Sequence, residues 1–531
     1  MESIPPLPLL TFPDQQSGAH YVSRLPLANP AAAEDQIDQF LDSLLAVPPG
    51  REELLAVLEA LRGPLAFVEE EMAKRFHNKP LPLAAVEEDI FQQVLSIWRK
   101  FGKAYALCLE PGNEPLEDPE ARRRLATVLH RQLQCAGMAI LEHYRARREL
   151  PPGLWLEFHG HFRTAEERGV ALEPVENGTD GTTTSCSDMY VTLVLVDMGS
   201  PYSQSVRDIN LIRRWAAQWA PLVVVGHVVD GEPSPPYVLK LDKDAGLHPV
   251  GEDQTSDACL RKLDSDRLAK QVSQVLGELR QKTPPSQLGL GEESASHCIR
   301  LLDQLIRPWS QSAVARKFRR FAASGTARVC VGFEAMHFYI SGRPFEQPEV
   351  SKTYAREEFN ALFSARGMAA PNERPVIRTQ EEYAADEWEV INHSANGFRL
   401  ARTAVGQKMA HGQLLAVCPH DGDKFLLAQA SWLMQEQAGG LVAGVSVLPG
   451  LPTAIAIRLN AEGKDNGQPF VRGFILSPVP NISERGSIVV PLATYVASRV
   501  YDIYADGYWQ VRLKNIQQRG SDFERVSFET L

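Results

Sequence analysis

"SAVARKFRRFAASGTARVCV", residues 312–331, is where the texture of the chain changes. Before it, apolar side chains recur near i, i+3, i+4 and i+7, the period of an amphipathic helix. From about Thr326 they come in short runs rich in Val, Ile, Phe and Tyr, the composition of strands. At the joint, Arg316, Lys317, Arg319, Arg320 and Arg328 occur together, and no Asp or Glu falls between Asp303 and Glu334. The stretch predicts a boundary between a helical N-terminal half and a β-rich C-terminal half, with a positive site at the boundary.

Working back from the boundary, residues 151–310 predict a mainly helical domain with long loops. Helices are expected at 152–169, 187–198, 203–219, 264–281 and 293–309, with a short strand near "YVLKLD" and polar loops at 171–186 and 282–292. Residues 31–150 predict an α-helical bundle, from "EDQIDQFLDSLL" through "PEARRRLATVLHRQLQCAGMAILEHYRARR". Pro80, Pro82, Pro111, Pro115 and Pro119 separate its segments as stops and starts. Residues 1–30 are Pro-rich and aperiodic, as expected of an extended arm. Working forward, about twelve short runs, among them "ARVCVGF", "HFYIS", "WEVIN", "GFRLART", "FLLAQASWL", "TAIAIRL" and "WQVRLK", point to barrels or sandwiches. The fold class is α+β.

At 531 residues the chain is too long for one hydrophobic core. A net charge of -11 argues against a general affinity for DNA or RNA, whose binding depends on neutralising phosphates, yet leaves room for a local anion site. Seven scattered cysteines with no CxxC pair suit reduced thiols. The opening "MESIPPLPLLTFPDQQ" has no basic region followed by a long apolar one, as a secretory signal would. The longest uncharged run, 438–457, is broken by Gly and Pro into two strands and a turn, so no transmembrane segment is expected. These features together predict a soluble cytoplasmic protein.

Two short patterns carry chemistry. Arg316-x-x-x-Arg320 sets two guanidinium forks just before the first β-run. Such forks bind phosphate bidentately, and they also match the O6 and N7 edge of guanine or stack on its face. A solvated basic helix end would have the same composition. The second pattern lies in "EVINHSANGFRLAR", residues 389–402, where Asn392, Ser394 and Gly397 are spaced i, i+2 and i+5 between two apolar stretches. Asn and Ser side chains can read purine edge groups and Gly allows a close approach, although the same residues also favour a plain hairpin turn.

Arg316-x-x-x-Arg320 followed by Asn392-x-Ser394-x-x-Gly397 resembles the paired signature of PilZ domains, bacterial receptors for cyclic di-GMP. The resemblance covers about residues 312–450, and Trp432 in "FLLAQASWL" stands where the family often has an aromatic residue. It implies a PilZ-like antiparallel β-barrel at 311–450, followed by a further C-terminal β domain at 451–531. Arg320 and Asn392 lie 72 positions apart, more than is usual in the family, so the polar stretch at 342–386 is expected to be an insertion, with a helix in "AREEFNALFSARG" (355–367). The family's second motif often begins with Asp, where this chain has Asn392.

The resemblance implies that Arg316 and Arg320 hold phosphate and guanine, that Asn392 and Ser394 read a guanine, and that Gly397 permits the turn. Lys317, Arg319 and Trp432 are possible accessory contacts. The implied function is a non-enzymatic cyclic di-GMP receptor, with no cofactor beyond that ligand, relaying its signal to a protein partner through the helical half. The alternative is a helical scaffold or chaperone-like protein with a degenerate PilZ barrel.

Two other candidates carry less. Asn481-x-Ser483-x-x-Gly486 repeats the second pattern, but no Arg-x-x-x-Arg precedes it in the C-terminal segment, and it reads as a loop. His159 and His161 could be metal ligands, yet i and i+2 point apart on a helix and no partner has recognisable spacing, so no metal or catalytic residue is expected.

Overall fold

The computed structural model describes residues 12, 14–109, 112, 117–177, 182–228, 235–250, 258–312, 321–348, 383–394, 396–403, 405–460, 468–479, 485–505 and 507–531. The chain divides into two compact units, Met1–Lys79 with Leu83–Ala315, and Pro80–Pro82 with Arg316–Leu531.

The first unit carries helices α1 (Gln15–Ser23), α2 (Pro30–Ala46), α3 (Arg51–Ala73), α4 (Ala85–Ala106), α5 (Pro119–Arg145) and α6 (Leu154–Glu167). After the two-residue strands β1 (Val175–Glu176) and β2 (Thr183–Thr184) come α7 (Cys186–Met198) and α8 (Val206–Trp219). Strands β3 (Val224–His227), β4 (Tyr237–Lys240), β5 (His248–Pro249) and β6 (Leu260–Asp264) then form a sheet in the order β3-β6-β4-β5, and α9 (Asp266–Arg280) and α10 (Ala295–Trp309) follow. The starts obey local rules. Asn29 and Asp118 cap α2 and α5 with their side-chain oxygens, and proline occupies the first turn of each.

Helix α5 organises this unit. Leu125, Leu129, Leu133 and Ile140 join one apolar cluster with α6–α10, while Val128, Cys135 and Ala139 join another with α1–α4. Apolar and polar residues alike are buried around this helix, so it runs inside the core. Its buried cations are paired: Arg131 makes two 2.9 Å hydrogen bonds to the Glu59 carboxylate, and Arg145 lies between Glu142 (2.8 Å) and Glu70 (2.9 Å). Where a boundary was expected near residue 150, contacts group the residues on both sides into one unit whose two clusters share this helix.

The extended arm also needs correction. Residues 15–23 are helical because Asp14 accepts the Ser17 amide at 2.8 Å and Val22 is buried, while Gly18 lies so close to Val57 that a β-carbon would fall 2.6 Å from its methyl. Nine residues are too few for the periodic signal to be read. Strands β3 and β6 were also not expected, each being only four or five residues long.

The second unit holds β7 (Phe321–Ala322), β8 (Thr326–Val331), α11 (Phe333–Ser341), β9 (Asp386–Ser394), β10 (Gly397–Arg402), β11 (Leu414–Pro419), β12 (Leu426–Gln435) and β13 (Leu441–Val447). The ladder β10-β13-β12-β11-β8-β9 closes through a β9–β10 pairing, giving a six-stranded antiparallel barrel with β7 alongside β9. Strands β14 (Pro452–Leu459), β15 (Val471–Leu476), β16 (Ser487–Pro491), β17 (Val500–Tyr504), β18 (Tyr508–Arg519) and β19 (Phe523–Thr530) close a second barrel in the order β14-β15-β16-β19-β18-β17. The α+β architecture, helices first and a β-rich half after, is the one the periodicity predicts, and the further C-terminal β domain is itself a closed barrel.

"HFYIS" was expected as a strand but lies in α11. Ala335, Met336 and Phe338 are buried, and Met336 packs in one cluster with Leu414 and Ala416 of the first barrel and Phe474 and Leu476 of the second. A short apolar run can serve either element. Here Gly332 and Gly342, both in the left-handed region, bracket one helical segment between the barrels. Of the 342–386 stretch, residues 349–382, including the helix expected at 355–367, lie outside the described residues.

Candidate functional site

The strands flanking this motif form the hairpin that the sequence offered, but its turn is shorter than the span 392–397, and Asn392, His393 and Ser394 lie in a strand. They end β9, Gly397 begins β10, and only two residues separate the strands. The register pairs Ser394 with Gly397 and Asn392 with Arg399. Ser394 Oγ donates to Asn396 Oδ1 at 3.1 Å, and the Val447 amide donates to the Asn396 carbonyl at 2.9 Å, which pins the turn to the neighbouring strand.

Gly397 is needed for close packing rather than for an unusual dihedral. Its φ lies outside the left-handed range, and a β-carbon there would fall 2.3 Å from the Val445 carbonyl oxygen of β13. The turn and its pairing with the adjacent strand β13 thus depend on one glycine.

Segments β7 and β8 both pair with one edge of β9, joined across a kink at Gly325, whose φ is 129°. Phe321 lies opposite His393, with ring centroids 5.8 Å apart, and Ala322 lies opposite Asn392. The residue immediately after Arg320 is therefore beside the second motif. Arg316, Lys317, Arg319 and Arg320 themselves lie outside the described residues. Arg328, grouped with them in the sequence, is paired with Glu387 and has its guanidinium 5.1 Å from the Phe425 ring centroid. Glu387 is five residues from Asn392 along β9, about 17 Å at strand rise, so Arg328 is remote from that motif.

Cross-strand register sorts the two faces, and irregularities between Val390 and Asn392 on β9 and between Ala430 and Trp432 on β12 switch which residues of those strands point outward. Val390, Leu400, Ala443 and Leu433 are buried in the barrel. Asn392, Arg399, Gly444 and Trp432 form a cross-strand row on the outer face over β9, β10, β13 and β12, since Arg399 pairs with both Asn392 and Gly444, and Gly444 pairs with Trp432. Trp432 lies over Gly444 so closely that a β-carbon would fall 1.8 Å from the indole Nε1. Arg399 Cζ is 5.7 Å from the Trp432 ring centroid. The sequence reading named Asn392 and Trp432 but missed Arg399 and Gly444. Their places follow from the register once the turn is known to be two residues long.

The other candidates resolve separately. His159 is buried, with Nδ1 2.9 Å from the Tyr190 hydroxyl and Nε2 3.0 Å from the Ala245 carbonyl, so both ring nitrogens are engaged in packing. His161 lies 3.9 Å from Glu157. Among the described residues, no group of three or more His, Cys, Asp or Glu could hold a metal ion. Asn481 and Ser483 lie outside the described residues, whereas Gly486 immediately precedes β16. Among the described residues no helix is long and apolar enough to cross a membrane.

Comparison with known proteins adds a separate line. The family model described as "Cyclic-di-GMP receptor FimW, N-terminal domain" matches residues 16–228, and that described as "Cyclic-di-GMP receptor FimW, middle PilZ domain" matches residues 244–370. The chain is 21% identical over 522 residues to the cyclic-di-GMP receptor FimW of Pseudomonas aeruginosa, covering 89% of this chain and 83% of that protein. The C-terminal half carries a PilZ domain. The PilZ match spans Arg316, Arg320, β7 and β8 and ends before Asn392, whereas the resemblance in the sequence ran from about 312 to 450.

Proposed function

We propose that this protein is a cytoplasmic cyclic di-GMP receptor that binds the dinucleotide on the outer face of its first barrel. In this reading Arg316 and Arg320 hold phosphate and guanine, Asn392 and Ser394 read a guanine edge, and Trp432 offers an aromatic surface. The observation that carries it is the pairing of Phe321 with His393, which brings the chain directly after the arginine motif alongside the strand bearing Asn392 and Ser394. The relationship to a cyclic-di-GMP receptor supports the same ligand. The helical unit relays occupancy to a protein partner, and no catalytic step is assigned to the protein.

Calorimetric titration of the full chain tests this. Wild type should bind cyclic di-GMP with micromolar or tighter affinity. Arg316→Ala and Arg320→Ala should each weaken it by about 2–4 kcal/mol, the scale of a lost charge-assisted contact. No binding by wild type would favour the scaffold alternative, and unchanged affinity in both variants would remove the arginine assignment. Unaltered amide exchange throughout residues 14–312 at saturating nucleotide would remove the relay.

A further inference from the structure

We propose that Arg399 selects guanine over adenine in the bound dinucleotide, an inference that rests on the cyclic di-GMP reading above. Arg399 pairs opposite Asn392 and faces outward in the same row as Gly444 and Trp432. Three strand spacings carry this row about 14 Å across the barrel surface. A polar amide stands at one end, an indole at the other, and a guanidinium between them.

The guanidinium is held where it can act. Gly444 has no side chain, so the Trp432 indole lies over the β13 backbone. That brings the ring to 5.7 Å from Arg399 Cζ, within cation–π range. Such a contact orients the planar group while its N–H donors, which lie in the plane, remain available. Arg399 is exposed, and among the described residues it makes no ion pair with a carboxylate. Arg402, three residues on, is different: it is buried, paired with Asp386 and packed 4.8 Å from the Trp388 ring centroid. Two arginines of one strand are therefore divided between packing and a free outward fork.

The chemistry of that fork favours one base. Guanine presents two neighbouring acceptors, O6 and N7, which accept a bidentate guanidinium. Adenine presents N7 beside an N6 amino donor, which opposes a second N–H. An ammonium would keep the charge and lose the paired geometry. A base stacked near Trp432 would meet Arg399 in the same row.

The test is calorimetric titration of the full chain, with competition for weak binders, using cyclic di-GMP and cyclic di-AMP, which share a backbone and differ only in base. Arg399→Ala should weaken cyclic di-GMP binding about 5- to 150-fold, the range of one bidentate base contact. Its affinity for cyclic di-AMP should change less than about twofold on the same reasoning, so the selectivity ratio falls. Arg399→Lys should lose selectivity in the same direction. Equal losses for both dinucleotides would mark a phosphate contact and overturn the proposal. Wild-type binding of cyclic di-GMP with an unchanged ratio in Arg399→Ala would overturn it while leaving the receptor reading in place. A wild-type protein that binds neither dinucleotide would overturn both.

Discussion

Replacing Gly397 with Ala separates packing from recognition within the second motif. The added β-carbon would lie 2.3 Å from the Val445 carbonyl oxygen, a backbone atom that cannot rotate away. A carbon–oxygen contact between strands settles at about 3.3 Å or more, so β10 and β13 must part locally by about 1 Å. That lengthens the neighbouring rungs, which include the Phe398–Val445 and Gly397–Ser446 pairs. Overpacking of this kind costs about 1–3 kcal/mol, and each weakened ladder bond adds about 0.5–1.5 kcal/mol. The expected loss is about 2–4 kcal/mol, felt in the first barrel, because the Val447–Asn396 bond that holds the turn lies on the same strand pair. Denaturant unfolding of the full chain with amide exchange in 397–402 and 441–447 reads this directly. Exchange should quicken there even without nucleotide. Wild-type stability and exchange in Gly397→Ala would show that the strands have slack and that the glycine serves some other purpose.

Ser394→Ala should lower cyclic di-GMP affinity by about 1–3 kcal/mol, the effect of a lost polar partner, while Ser483→Ala should leave it within error in the same titration; the reverse order would move the site to the second copy. Arg145→Met should cost about 3–5 kcal/mol in denaturant unfolding, because it strands a buried carboxylate. Burial raises the Glu142 carboxyl pKa, but Arg145 and His77 outweigh it and hold the group below its usual range. Adding Glu142→Gln should restore part of the loss, and a cost under about 1 kcal/mol for Arg145→Met alone would mean that water reaches the pair. Glu34 is pushed up to about 7, first by burial and then by Asp35. Its folded pKa exceeds the unfolded one, so the native state binds the extra proton and stability falls as pH rises from about 4.5 to 7. The total is on the order of 3 kcal/mol. Glu34→Gln should lessen that slope in unfolding curves at pH 4.5 to 8, while buried Glu69, also held well above its usual range by burial, keeps its own share, and an unchanged slope would clear Glu34 of the effect.

Much of the helical half was legible because helix formation is local. Each backbone bond in α7, α8, α9 and α10 joins residues four apart, so apolar period and caps such as Ser185 and Ser205 appear within one window of sequence. The change of texture near residue 320, the strand-like runs beyond it and the two short motifs were legible for the same reason. Strand pairing has no such window. Nothing near Phe321 says that its partner is His393, 72 positions away, or that β10 will meet β13 closely enough to require Gly397. Nor does "HFYIS" alone decide between strand and helix, since that depends on the two barrels packed on either side of α11. The sequence by itself carried two short motifs whose residue types suit a guanine dinucleotide. Only the tertiary structure decided that Asn392, Arg399 and Trp432 share one face, because register and barrel closure arise from contacts distant in sequence and from side chains that must alternate between core and surface.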